Sequence, residues 1–222
     1  MKGKLAIIHT TVVTVEPLKA LAAELLPDYE AVNFVDDSIL PQLRETDGDV
    51  RVVADRLLHY ARFAEQVGAS AILNACSSVG GLVAETQQQV GIPIVRIDEA
   101  MAEEAVRCGK RIGVAATLAT TLDPTMHLVR SKAQEAGKAV ELTPLLANAA
   151  YEKLVAGDTA GHDQILREAL ADLAAAVDVV VLAQASMARV VRTLPEEQQH
   201  KYLSSPRLGM ERVKAVLQSK GQ

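Results

Sequence analysis

Cys76 is the residue with the clearest reactive potential in this chain, and it stands in an unusually polar loop, Asn74-Ala75-Cys76-Ser77-Ser78-Val79-Gly80-Gly81. A free thiol titrates near ~8.5, and the start of a helix lowers that value. A thiolate so placed could attack a carbonyl or take a proton from the carbon beside one. The bland alternative is a buried cysteine acting as a small hydrophobe. Cys108, at a predicted helix end before Gly109 and Lys110, takes that structural reading.

Three further loops are rich in hydroxyl or amide groups: His9-Thr10-Thr11, Thr117-Leu118-Ala119-Thr120-Thr121 and Gln184-Ala185-Ser186-Met187. Serine and threonine at helix starts can be ordinary caps, and each loop alone reads that way. Taken as a set, four such loops around one cleft would hold a small carboxylate with backbone N–H and hydroxyl donors, without a charged side chain. His9, at the end of the first predicted strand, could orient a substrate, shuttle a proton, or simply be a hydrogen-bonded strand-end histidine. Asp36 and Asp37 follow the second strand, where an Asx-type turn explains them as well as a place on a cleft rim.

The elements that must position these loops are short apolar runs alternating with amphipathic segments, the pattern of a parallel sheet with crossover helices. Strands are predicted at 4–9, 31–35, 71–74, 94–96, 111–115, 139–143, 177–182 and 201–203. Helices are predicted at 15–26, 50–67, 79–90, 98–108, 124–136, 147–156, 162–176, 187–194 and 206–218. Gly68, Gly109 and Gly137 each follow a helix and suit a left-handed cap. The element order of the first half, ending in the Cys76 loop, is echoed by the second half, ending in the Gln184 loop. This order implies two α/β lobes, one of residues 1–97 plus 205–222 and one of residues 98–204. The cleft would lie between them, fed by strand C-termini.

Composition narrows the class. The 222 residues are 49% apolar but only 3% aromatic, with no Trp, so Ala, Val and Leu must fill the core. A formal charge of −5 and the absence of a Lys/Arg run argue against nucleic acid. No apolar stretch approaches the ~20 residues of a membrane helix, and the run 5–8 is too short for a signal peptide. A cytoplasmic protein with free cysteines is expected. There is no GxGxxG after a strand, no GxxxxGK[ST], no HExxH and no GxSxG, so neither a cofactor nor a metal is expected.

The loops together resemble those of the cofactor-independent Asp/Glu/hydantoin racemase superfamily. Its early Cys-Asn-Thr-type turn is similar to Asn74-Ala75-Cys76-Ser77-Ser78. Its mid-chain Gly-Thr-x-x-Thr-type turn is similar to Ala116-Thr117-Leu118-Ala119-Thr120. Its late Leu-Gly-Cys turn is similar to Leu182-Ala183-Gln184-Ala185-Ser186-Met187-Ala188, in the hydantoin-racemase form. The resemblance implies two Rossmann-like lobes with parallel sheets, related by a pseudo-twofold axis, with the active site in the inter-lobe cleft. It also implies proton transfer next to a carboxylate or carbonyl, without pyridoxal phosphate, by a cysteine on each face of the reacting carbon. Substrate oxygens would be held by Thr10, Thr11, Asn74, Ser77, Ser78, Thr117, Thr120, Thr121 and Ser186.

The chain departs from this pattern where the late cysteine is expected, because Gln184 stands there. An amide does not exchange protons at useful pH. The leading expectation is therefore a lyase or isomerase acting on a small carboxylate, with Cys76 as acid/base or nucleophile and Gln184 binding an oxygen. One alternative is a racemase or epimerase with His9 or Ser186 as second base. Another is a non-catalytic small-molecule sensor on the same scaffold. A homo-oligomer is expected, with no nucleic-acid or membrane partner.

Overall fold

The computed structural model describes residues 3–184 and 187–219. The chain divides into two compact units: one runs to Asp98 and resumes at Pro206, the other spans Glu99–Ser205. Among the described residues, eight strands form two four-stranded, wholly parallel sheets.

In the first unit the strands are β1 (Gly3–His9), β2 (Tyr29–Val35), β3 (Ala69–Asn74) and β4 (Ile94–Arg96), and the helices α1 (Val15–Leu25), α2 (Ile39–Glu45), α3 (Ala54–Gln66) and α4 (Val83–Gln87). In the second they are β5 (Arg111–Ala116), β6 (Glu141–Leu146), β7 (Val179–Leu182) and β8 (Tyr202–Ser204). Its helices are α5 (Glu99–Cys108), α6 (Ala119–Glu135), α7 (Asn148–Val155), α8 (Thr159–Ala176), α9 (Ala188–Val191) and α10 (Glu196–Gln199). The chain closes with α11 (Ser205–Ser219).

Strand order is β2-β1-β3-β4 in one sheet and β6-β5-β7-β8 in the other. Each sheet is thus wound outward in one direction and then the other from its first strand. The reversal leaves a crevice at the C-terminal ends of β1 and β3, and likewise of β5 and β7.

Burial of both sheet faces explains the continuous apolar strands. Along β1, Leu5 and Ile7 pack with Leu18 and Ala22 of α1 and with Met210, Val213 and Leu217 of α11. Ala6 and Ile8 pack on the opposite side with Ile39 and Leu43 of α2 and Leu57, Ala61 and Ala64 of α3. In the second unit Ala115, Val180 and Leu182 pack with Leu166, Leu170 and Leu173 of α8. No described helix is long and apolar enough to cross a membrane. No group of three or more His, Cys, Asp or Glu among the described residues could hold a metal ion.

Three local expectations are corrected. The sequence reading has no helix over Ile39–Glu45, where the structure has α2; its Pro41 falls in the first turn, where its missing N–H has no intrahelical partner to lose. α6 starts at Ala119, not at 124, and carries Pro124 inside it at the loss of one hydrogen bond. Gly68 and Gly137 do cap helices at positive φ, but Gly109 does not. There the missing side chain makes room instead: a Cβ would lie 2.9 Å from that of Asp178.

Met210 is fully buried between α11 and the first sheet. Met210→Ala is expected to cost about 2–5 kcal/mol in urea unfolding, the range for such truncations. Unchanged stability would mean that α11 does not complete the core of its unit.

Candidate active site

The crevice of the first sheet is built from the segments leaving β1 and β3. These strands pair in parallel with Ile8 opposite Asn74, which brings the residues just beyond them, Thr10 and Cys76, to the same edge. Cys76 caps a 3-10 turn, Ser77–Leu82, that runs on into α4. Its backbone is extended (φ −136°, ψ 115°), as at a helix N-cap, and its side chain makes no capping hydrogen bond. The Thr10 hydroxyl, the backbone N–H groups of Val79 and Ser78 and the Ser78 hydroxyl favour the charged form of the sulfur.

Cys76 is only 7% exposed. Burial pushes its thiol above the ordinary value, and the four donors oppose that push without cancelling it. The expected lowering by the helix start is therefore corrected: the sulfur keeps its proton at neutral pH. Asn74 steadies the loop, its Nδ2 donating to the Cys76 carbonyl at 3.1 Å. Its buried Oδ1 has no hydrogen-bond partner.

His9 is fully buried at the end of β1. Burial lowers its pKa, against a hydrogen bond to Asn33 that favours the charged form. In the neutral ring, Nε2–H donates to Asn33 Oδ1 at 2.9 Å, and Nδ1 accepts from the Thr14 hydroxyl at 2.8 Å. Both nitrogens are thus engaged within the unit. Thr11 caps the short 3-10 turn Val12–Thr14, accepting from Val13 N–H at 3.4 Å. Asp36 is turned toward α3, where Arg56 Nη1 and the Tyr60 hydroxyl each donate to it at 3.0 Å.

In the second unit the equivalent crevice carries Thr117 after β5 and Gln184 after β7. Gln184 Oε1 accepts from Thr117 N–H at 2.7 Å and from the Thr117 hydroxyl at 2.9 Å. A backbone N–H can only donate, so the amide atom facing it must be the oxygen. The Gln184 NH2 group is therefore turned away, as a pair of donors.

The structure brings Thr10, Asn74, Ser78 and Cys76 together, and separately Thr117 and Gln184. Ser77 is buried in the Cys76 turn. Thr120 and Thr121 lie in the first turn of α6 rather than in a loop. Ser186 lies outside the described residues. Sequence reasoning missed Arg96, at the end of β4, which pairs with the buried Asp98 through Nε (3.1 Å) and Nη2 (3.0 Å). The Arg-x-Asp spacing at a strand end was the available signal.

The sequence profile of the Asp/Glu/Hydantoin racemase family matches residues 6–213. No curated protein matches the chain significantly. Among solved structures, a glutamate racemase from Bacillus anthracis aligns with TM-score 0.74 and 19% identity, covering 100% of this chain and 84% of that one. An allantoin racemase from Klebsiella pneumoniae aligns with TM-score 0.67 and 17% identity, covering 98% and 89%. A glycine-to-cysteine variant of arylmalonate decarboxylase aligns with TM-score 0.58 and 16% identity, covering 97% and 93%. At these identities the likeness is one of fold.

The balance of burial and donors at Cys76 can be read by alkylation. In a Cys108→Ser background, the pH midpoint of iodoacetamide reaction is expected above the ~8.5 of a free thiol. A midpoint at or below that value would mean that the donors outweigh burial.

Proposed function

Because the chain belongs to the Asp/Glu/Hydantoin racemase family, we propose that it is a cofactor-independent lyase or isomerase. It acts at the carbon next to a carboxylate or carbonyl of a small acid, with Cys76 as its one proton-transferring thiol. The observation that carries this reading is the asymmetry between the two units. The first offers a sulfur cradled by Thr10, Ser78 and two backbone N–H groups. At the position where the resemblance implies a second thiol, the second offers Gln184, whose oxygen is committed to Thr117.

Gln184 can donate hydrogen bonds but cannot take a proton from carbon. Inversion by two opposed thiols is therefore not open to this chain. Proton delivery to one face is. The buried thiol, protonated at neutral pH, is suited to act first as an acid. In a decarboxylation the carbon–carbon bond breaks, carbon dioxide leaves, and the electron pair remains as an enolate. The Cys76 S–H then gives its proton to the carbon. The thiolate left behind is held by the same four donors and regains a proton from solvent. An isomerisation would begin with loss of the thiol proton to solvent; the thiolate would then take a proton from one carbon and return it to another, or add to the substrate and leave.

His9, with both nitrogens engaged, serves in this reading to hold the turn that carries Thr10 and Thr11. Thr11, Asn74, Ser77, Thr117, Thr120, Thr121 and Ser186 are retained as the group from which substrate-oxygen contacts come.

The test is a panel of small α-substituted mono- and dicarboxylates in deuterated water, monitored by NMR. Deuterium is expected at the α-carbon of a product in a single configuration, with carbon dioxide release in the lyase case. Cys76→Ala is expected to lose at least about a hundred-fold in turnover while remaining folded, as for removal of a general acid. Undiminished turnover in that variant, or racemised and deuterated starting material, overturns the assignment.

A further inference from the structure

Arg96 and Asp98 are charged residues in an apolar neighbourhood that the reaction does not consume. Asp98 is 1% exposed, and the Arg96 side chain 16%. Their contact is a two-pronged fork, with Nε and Nη2 of Arg96 each donating to a different oxygen of Asp98. Such a pair fixes the plane of the guanidinium as well as its position. Isolated charges would not persist in this setting, and a buried pair stabilises a fold little on balance. Its place in the molecule therefore calls for another reason.

That reason lies at Gly80, in the middle of the turn that Cys76 caps. A Cβ at Gly80 would fall 2.5 Å from Arg96 Nη2, 2.6 Å from Cζ and 2.8 Å from Nε. The guanidinium thus lies flat on the backbone of the turn, in the space a side chain would take. The φ of Gly80 is not in the left-handed region, so its value is close approach, not conformational freedom. From the strand side the turn is held by Asn74, which donates to the Cys76 carbonyl and pairs in register with Arg96 itself. The 77–82 turn is clamped at its start and at its middle by neighbours on β3 and β4.

We propose that Arg96 is a positioning residue for Cys76: clasped by Asp98 and laid across Gly80, it fixes the turn that Cys76 caps and that carries Ser78 and Val79. The effect is geometric. The groups that act on the sulfur are the Thr10 and Ser78 hydroxyls and the two N–H groups, with no charged side chain among them. Arg96 has its charge answered by Asp98 and is felt only through the shape of the turn. A 3-10 turn of six residues has poorer hydrogen-bond geometry than an α-helix, and its direction is correspondingly easy to lose without an outside constraint. The inference takes its importance from the reading of Cys76 as the reacting group, but its test does not require turnover.

In the Cys108→Ser background, the pH midpoint and the limiting rate of Cys76 alkylation are measured separately. The midpoint reports stabilisation of the thiolate, and the limiting rate reports access. Arg96→Met is expected to raise the midpoint by about one pH unit, the order of one lost charge-assisted hydrogen bond. Well below the midpoint, that shift slows alkylation roughly ten-fold. Arg96→Lys, which keeps the charge but loses the planar fork, is expected to behave like Arg96→Met. Gly80→Ala leaves both charged residues in place and pushes the guanidinium off the turn, so the same upward shift is expected even if the Arg96 variants are insoluble. A purely structural role would lower the melting temperature and leave the midpoint at its parent value, and that result in the soluble variants overturns the proposal. A shifted midpoint together with a fully active Cys76→Ala would keep the positioning role and remove the catalytic one. An unshifted midpoint with an inactive Cys76→Ala would do the reverse.

Discussion

A sulfur removed from water carries negative charge only where hydrogen-bond donors have been placed around it beforehand. At Cys76 that requirement reaches back through much of the first unit. The Thr10 hydroxyl can touch the sulfur because β1 and β3 are neighbours in register. They are neighbours because the sheet reverses its winding between them. The two N–H donors exist because the chain enters a helical turn directly after Cys76, with orphan groups at its start. The turn in turn needs a residue without a side chain at Gly80, so that Arg96 can lie against it. His9 anchors the other side of the crevice to Asn33 on β2 and to Thr14 at the end of the short turn. A single thiol thus draws on every strand of its sheet.

The second unit repeats the topology and changes the chemistry. Thr117 follows β5 as Thr10 follows the last residue of β1, and Gln184 follows β7 close to where Cys76 follows β3. In the first unit the threonine hydroxyl serves a sulfur. In the second, the threonine hydroxyl and its own backbone N–H both serve an amide oxygen. Donors that would stabilise a thiolate are spent on a group that never ionises. The two crevices share a framework and differ in what they hold: a buried thiol in one, an amide oxygen bound to Thr117 in the other.

Much of this is legible in the sequence because sheet and helix periods leave clear marks. All eight strands are predicted within a few residues, and the chemical loops emerge from the polar residues that succeed apolar strands. The misses have two causes. Proline misplaces a helix boundary: Pro124 reads as a helix start although it lies inside α6. As a result Thr120 and Thr121 fall in a predicted loop. The second cause is that burial is a three-dimensional quantity. The start of a helix argues for a lowered thiol pKa, whereas desolvation, which no local pattern displays, reverses the sign. Arg96 escapes for the same reason. Arg96 reads only as the end of the short strand 94–96, and Asp98 as the start of the helix 98–108. Only the fold shows that the two face one another out of solvent.

Burial and donors at Cys76 look like opposing choices until the order of events in a proton transfer is considered. Before reaction, burial dominates and the proton stays on sulfur. In the proposed reaction a carboxylate substrate would bring further negative charge and strengthen that preference. A carbanion forming beside the thiol would take the proton and leave the charge on sulfur. At that moment the donors of Thr10, Ser78 and Val79 are already oriented, and no reorganisation is needed to receive the charge. A thiol in open solvent would lose the first property; Cys76 has it because it belongs to the apolar cluster that includes Val79 and Leu82. The proposed proton transfer would draw on both, and a rigid turn would serve it: donors that had to find the sulfur after the proton left would arrive too late to lower the barrier.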